Sequence, residues 1–147
     1  MNANRIQNVV IRTIEKQSIA LDDVREIQRL IEDAGISKEE AEGLIRMERM
    51  VGQACDAWAE FFVEALTAHL VWERRPTGYI RDEDAAWLIT CLQMARSGPA
   101  LNVGPLLVNL VREAERVDQA VIALALEENR GLRALQDPEV ALVRRAA

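Results

Sequence analysis

Ile36-Ser37-Lys38-Glu39-Glu40-Ala41-Glu42-Gly43-Leu44-Ile45 is the stretch whose reading decides the fold class. Ser37 and Glu40 have the spacing of a capping box. The Ser37 hydroxyl accepts from the Glu40 backbone N–H, and the Glu40 carboxylate accepts from the Ser37 N–H, so two donors at the open end of a helix are satisfied together. Ile36 and Ala41 occupy the hydrophobic-staple positions around the cap. Ala41, Leu44 and Ile45, continued by Met47 or Val51, then fall on one face of a helix that weakens near Gly52.

Working outward, Gly35 is placed to end a preceding helix over 21–34 in the left-handed conformation. That helix has a stripe of Val24, Ile27, Leu30 and Ile31, with Asp22 and Asp23 at its positive N-terminal end. Ile6, Val9, Val10 and Ile14 predict a first helix that starts after Asn4 and fades by Gln17. Downstream, Asp56 is a candidate N-cap for a fourth helix with Trp58, Phe61, Phe62, Leu66, His69 and Leu70 on its apolar face. Arg74-Arg75-Pro76-Thr77-Gly78 ends it, because Pro76 disfavours helical geometry at Arg75. A fifth helix begins near Asp82 and is stopped by Ser97-Gly98-Pro99. Beyond Gly104, with Pro105 at the first helical position, an apolar pattern runs to about Glu128 as one helix or as two divided near Val117-Asp118. Residues 139–145 form a short terminal helix or fray.

No stretch alternates apolar and polar residues between turn signals, so the fold class is all-α, a compact bundle of about six or seven helices. Residues 36–45 also match residues 80–89 (ISKEEAEGLI against IRDEDAAWLI) at five of ten positions without a gap. Both segments follow a glycine-containing turn and start a helix. The expected organisation is one domain over 1–147, with helix-turn-helix repeats at about 21–52 and 56–96 and C-terminal helices at about 101–145.

The chain has 147 residues, with 18 Lys+Arg against 24 Asp+Glu. The first 73 residues carry 8 basic and 14 acidic side chains and the remainder 10 of each, so the whole acidic excess lies in the first half. Such a chain lacks the basic stripe that drives non-specific nucleic-acid binding, and no nucleic-acid partner is expected. The longest purely apolar run, residues 120–126, is seven residues against the about 20 that a membrane-spanning helix needs, so no membrane insertion is expected. Met1-Asn2-Ala3-Asn4-Arg5 does not open a signal peptide, and Cys55 and Cys91 form neither a CxxC nor a disulfide framework. These features predict a cytoplasmic protein with reduced thiols.

Asp33-Ala34-Gly35-Ile36-Ser37-Lys38-Glu39-Glu40 and Thr77-Gly78-Tyr79-Ile80-Arg81-Asp82-Glu83-Asp84 resemble the paired turns of TerB-like domains of the tellurite-resistance group. Trp58, Phe61-Phe62-Val63 and His69-Leu70 look like the connecting helix. The resemblance covers roughly residues 20–95. It implies an all-helical, non-enzymatic binding or scaffolding module in a bacterial stress-response system, with a protein partner. It also implies a site for Ca²⁺ or another divalent cation at acidic residues near the turns, for which Asp33, Glu40, Asp82 and Asp84 are the candidates. Carboxylates at paired helix starts would supply the oxygen ligands hard cations require, although acidic residues in a first helical turn also serve simply as caps.

Trp72, Arg74, Arg75 and Tyr79 form the candidate partner-binding cluster, with aromatic and basic character suited to a carboxylate- or phosphate-bearing partner. Trp58 and Trp87 are expected to anchor the core. The alternative function is a small enzyme or ligand-binding protein with a pocket between the repeats, in which His69, the only histidine, and a carboxylate do acid–base work. The apolar stripe over 105–126 is expected to be the spine of the bundle, or else the interface of a homodimer.

Overall fold

A computed structural model describes residues 4–31, 35–74, 76–93 and 101–136. Seven α-helices appear among them: α1 (Gln7–Lys16), α2 (Leu21–Ile31), α3 (Lys38–Met50), α4 (Asp56–Thr67), α5 (Asp82–Gln93), α6 (Val103–Glu113) and α7 (Gln119–Gln136). The all-α class is therefore observed. Helix α4 runs on into a π-helical turn, Ala68–Trp72, closed by the Glu73 N–H donating to the Ala68 carbonyl at 2.8 Å. Asp33, Arg75, the stop at 97–99 and the terminal segment 139–145 lie outside the described residues.

Four two-residue strands join the helices: β1 (Ser18–Ile19), β2 (Gln53–Ala54), β3 (Tyr79–Ile80) and β4 (Arg116–Val117). They form two parallel pairs, β1 with β2 and β3 with β4. Each strand is followed by a single residue and then a helix. The two pairs repeat one hydrogen bond: the Cys55 N–H donates to the Ile19 carbonyl at 2.9 Å, and the Asp118 N–H to the Ile80 carbonyl at 3.0 Å. Parallel strands need a long crossover, supplied by α2 and α3 for one pair and by α5 and α6 for the other. This recurrence aligns α2 with α5 and α4 with α7, whereas the sequence match aligns the starts of α3 and α5.

The helices pack so that α1 lies on α3, α4 on α6, and α6 on α7. Their apolar stripes converge on a core centred on Trp58, Phe62, Leu44, Leu66, Leu88 and Leu107, all fully buried. The Trp58 indole N–H donates to the buried Glu48 carboxylate at 2.9 Å, and Glu48 also accepts from the Asn102 N–H and amide. A polar link thus joins α3, α4 and the start of α6.

The long C-terminal pattern divides at β4, the two-helix alternative of the sequence reading, because Ala114 leaves the helix in an extended conformation. Two boundaries differ from the sequence reading. Pro105 is the third residue of α6, since the helix begins at Val103. The N-cap of α4 is Cys55, and Asp56 is the first helical residue, where its charge faces the helix N-terminus.

Candidate partner-binding site

The turn between α2 and α3 and the end of the π-helical turn are tied together by side chains distant in sequence. Gly35 has φ +77, the left-handed conformation that the sequence predicted for it. The capping box forms with both bonds: the Glu40 N–H donates to Ser37 Oγ at 3.1 Å, and the Ser37 N–H to Glu40 Oε1 at 2.8 Å. Arg5, from the segment before α1, lays its guanidinium along this turn. It donates to both Glu40 oxygens, to the Gly35 carbonyl at 2.7 Å and to the Ile31 carbonyl at 3.4 Å. The Glu40 side chain is fully buried. Burial works to raise its carboxyl, but the bonds from Arg5 and the Ser37 N–H outweigh this and hold it below the usual carboxylate range.

His69 enters from the other side. Its ring is 5% exposed, with Nδ1 3.2 Å from the Ile36 carbonyl oxygen and 3.7 Å from a Glu73 oxygen. Glu73 Oε1 also accepts from the Ile36 N–H at 3.2 Å, so the two side chains hold the two peptide groups on either side of Ile36. Burial pushes the imidazole below its ordinary range, and the Arg74 charge adds to that effect. The Glu73 carboxylate and the Ile36 carbonyl oppose it without overcoming it. A neutral imidazole with hydrogen on Nδ1 donates to Ile36, a structural use of the ring.

The π register leaves Trp72, three residues after His69, 50% exposed. The Gly78 N–H donates to the Val71 carbonyl at 2.7 Å, which sets β3 against this turn and brings Tyr79 beside the segment carrying Trp72. Gly78, at φ +85, makes the bend between them. Next to it, the β3–β4 pair floors an open depression of about 560 Å³ lined by Pro76, Tyr79, Arg81 and Arg116. Arg81 and Arg116 are exposed, and neither has an ion-pair partner among the described residues. At the same depression Asp118 accepts from the Ala120 N–H and caps α7, and Asp82, the first residue of α5, accepts from the Glu83 N–H.

The structure distributes the residues singled out from the sequence as follows. Glu40 is held by Arg5. Asp84 pairs with Arg74 at 2.7 Å, so a candidate cation ligand and a candidate partner residue neutralise each other. Asp82 is exposed at the start of α5, and no group of three or more His, Cys, Asp or Glu side chains able to hold a metal occurs among the described residues. The segments that carry Trp72 and Tyr79 lie side by side, joined by the Gly78 to Val71 backbone hydrogen bond. Arg81 and Arg116 are additions that the sequence reading missed, because they meet only through strand pairing across α5 and α6.

Compared with protein-family models, with curated proteins and with solved structures, the chain matches none.

Proposed function

We propose that the chain is a non-enzymatic, TerB-like binding or scaffolding module of a bacterial stress-response system, acting in the cytoplasm. Its partner surface is the face formed by Trp72, Tyr79, Arg81 and Arg116. The observation that carries this reading is an open depression lined by Tyr79 and by two guanidiniums without ion-pair partners among the described residues, joined to the segment of the half-exposed Trp72 by the Gly78 to Val71 backbone hydrogen bond. An exposed tryptophan with neighbouring arginines is the composition of an interaction hot spot. Arginine forks suit carboxylates, so the partner is a protein that presents an acidic segment. No helix among the described residues is long and apolar enough to cross a membrane, which is compatible with this setting. The divalent cation of the TerB-like resemblance is left out of the proposal, because Glu40 and Asp84 already hold Arg5 and Arg74.

The test is a ¹⁵N NMR titration with an oligoglutamate peptide. Three indole N–H signals are expected, and those of Trp58 and Trp87 are held by Glu48 and Glu42. The reading predicts that the Trp72 indole and the Arg81 and Arg116 amides shift while the other two indoles stay. No shift, or a shift centred on Trp87, contradicts it.

A further inference from the structure

Between α2 and α4, beside the α2–α3 turn, lies a groove of about 440 Å³ that shares no lining residue with the depression at β3 and β4. Its floor is apolar. Phe61, Ala65 and Ala68 recur at spacings of four and three on one face of α4 and the π-helical turn, and Ile31 lines the groove from α2. Phe61 and Ile31 are nearly buried, so this floor needs little ordering when something docks on it. The volume falls within the range of ordinary small-molecule sites, which are apolar hollows with a few placed polar groups.

Two carboxylates, those of Glu64 and Glu73, line the groove well apart from each other. They belong to one continuous run, since Glu73 keeps right-handed helical angles after the π-helical turn. At 1.5 Å of rise per residue their Cα atoms stand on the order of 13 Å apart along the axis. Both charges persist. Glu64 is exposed, with no ion-pair partner among the described residues. Glu73 accepts from the Ile36 N–H and stands 3.7 Å from His69 Nδ1, both through Oε1. A neutral N–H donor leaves the carboxylate charge in place, and burial favours the neutral imidazole, so neither contact cancels it. Among the described residues no cationic side chain lines the groove, and Gln28 adds a neutral amide from α2. Arg5, which donates to the Ile31 and Gly35 carbonyls at its wall, is matched by the Glu40 carboxylate, as Arg74 is by Asp84.

From this juxtaposition we infer that the α2–α4 groove binds a linear aliphatic diamine, its carbon chain along Phe61, Ala65 and Ala68 and one ammonium on each of Glu64 and Glu73. A monoamine of the same length leaves one carboxylate unmatched, and a short diamine cannot reach both.

The experiment is calorimetric titration of the full chain at low ionic strength with α,ω-octanediamine, octylamine or ethylenediamine. Octanediamine is expected to bind one to one, at least tenfold more tightly than either of the others. Glu64→Gln and Glu73→Gln are each expected to weaken it at least tenfold. Glu60→Gln, which removes a charge from α4 outside the groove, is expected to leave it unchanged. Because Glu64 is exposed, its variant decides the matter even if Glu73→Gln unsettles the turn. Equal binding of octylamine and octanediamine, an equal loss from Glu60→Gln and Glu64→Gln, or no binding at all overturns the inference. The titration contains no protein partner, so this inference and the Trp72 reading fail separately.

Discussion

The guanidinium of Arg5 and the carboxylate of Glu40 face each other in a two-pronged contact, with both nitrogen–oxygen distances at 2.9 Å, across 35 residues of sequence. The pair locks the segment before α1 to the α2–α3 turn. Removing one partner of a buried ion pair typically costs about 3–5 kcal/mol, and the one-third exposure of Arg5 places this pair at the lower end. Glu40→Ala is expected to destabilise by about 3 kcal/mol and Arg5→Ala by less, with a double variant less destabilised than the sum. Urea unfolding of the four proteins checks this, and strict additivity contradicts it.

Gly35 is required twice, by its φ of +77 and because a Cβ there would stand 2.6 Å from a Glu73 carboxylate oxygen. Gly35→Ala should therefore cost about 1–3 kcal/mol. In a Glu73→Ala background the steric part disappears and the backbone part stays, so the substitution should cost measurably less. An equal cost in both backgrounds would assign the whole effect to the backbone.

Two pH windows are expected. Burial lowers the folded-state value of His69 below its ordinary 6.5, so the unfolded chain takes up that proton first. The His69 contribution is complete above pH 6.5 and is lost as pH falls through the folded value. Asp23 and Glu40 are held below 3.8 and 4.5 by their cationic and backbone partners despite burial, for Asp23 by Lys16, the Ala20 N–H and Arg12. Their contribution is present above about pH 4.5 and is lost at more acid pH. Thermal midpoints from pH 8 to pH 3 should show both declines. His69→Gln should remove the first, and Asp23→Asn should lower the neutral midpoint yet flatten the second.

EDTA-treated protein should unfold at the same temperature with and without millimolar Ca²⁺, Mg²⁺, Mn²⁺ or Zn²⁺, because a ligand of the native state must raise stability by mass action. A saturable rise abolished by Asp33→Asn with Asp82→Asn would restore the cation site that the resemblance implies.

Much of this fold could be read from the sequence where local rules govern it. The Ser37–Glu40 box, the left-handed Gly35 and most of the stripes of α1 to α5 sit within a turn or two of the residues that cause them, whereas Leu30, expected in the α2 stripe, is exposed. The strands were not legible, because two residues such as Ser18–Ile19 have no period to detect. The division of the C-terminal pattern at β4 depends on the partner strand β3, which lies 37 residues earlier at Tyr79↔Arg116. At the candidate site, Trp72 and Tyr79 were legible because a short turn connects them. Arg5 on Glu40, Arg74 on Asp84, and the meeting of Arg81 with Arg116 are long-range outcomes of packing. They are also the contacts that decide which charges remain available.

The most direct test of the central claim is site-specific photo-cross-linking in bacterial cells from position 72, with exposed position 11 as the control. The account predicts a discrete cross-linked protein from position 72 only, lost in an Arg81→Glu, Arg116→Glu background that still folds. The same products from both positions, or a product from 72 that survives the charge reversals, would contradict it.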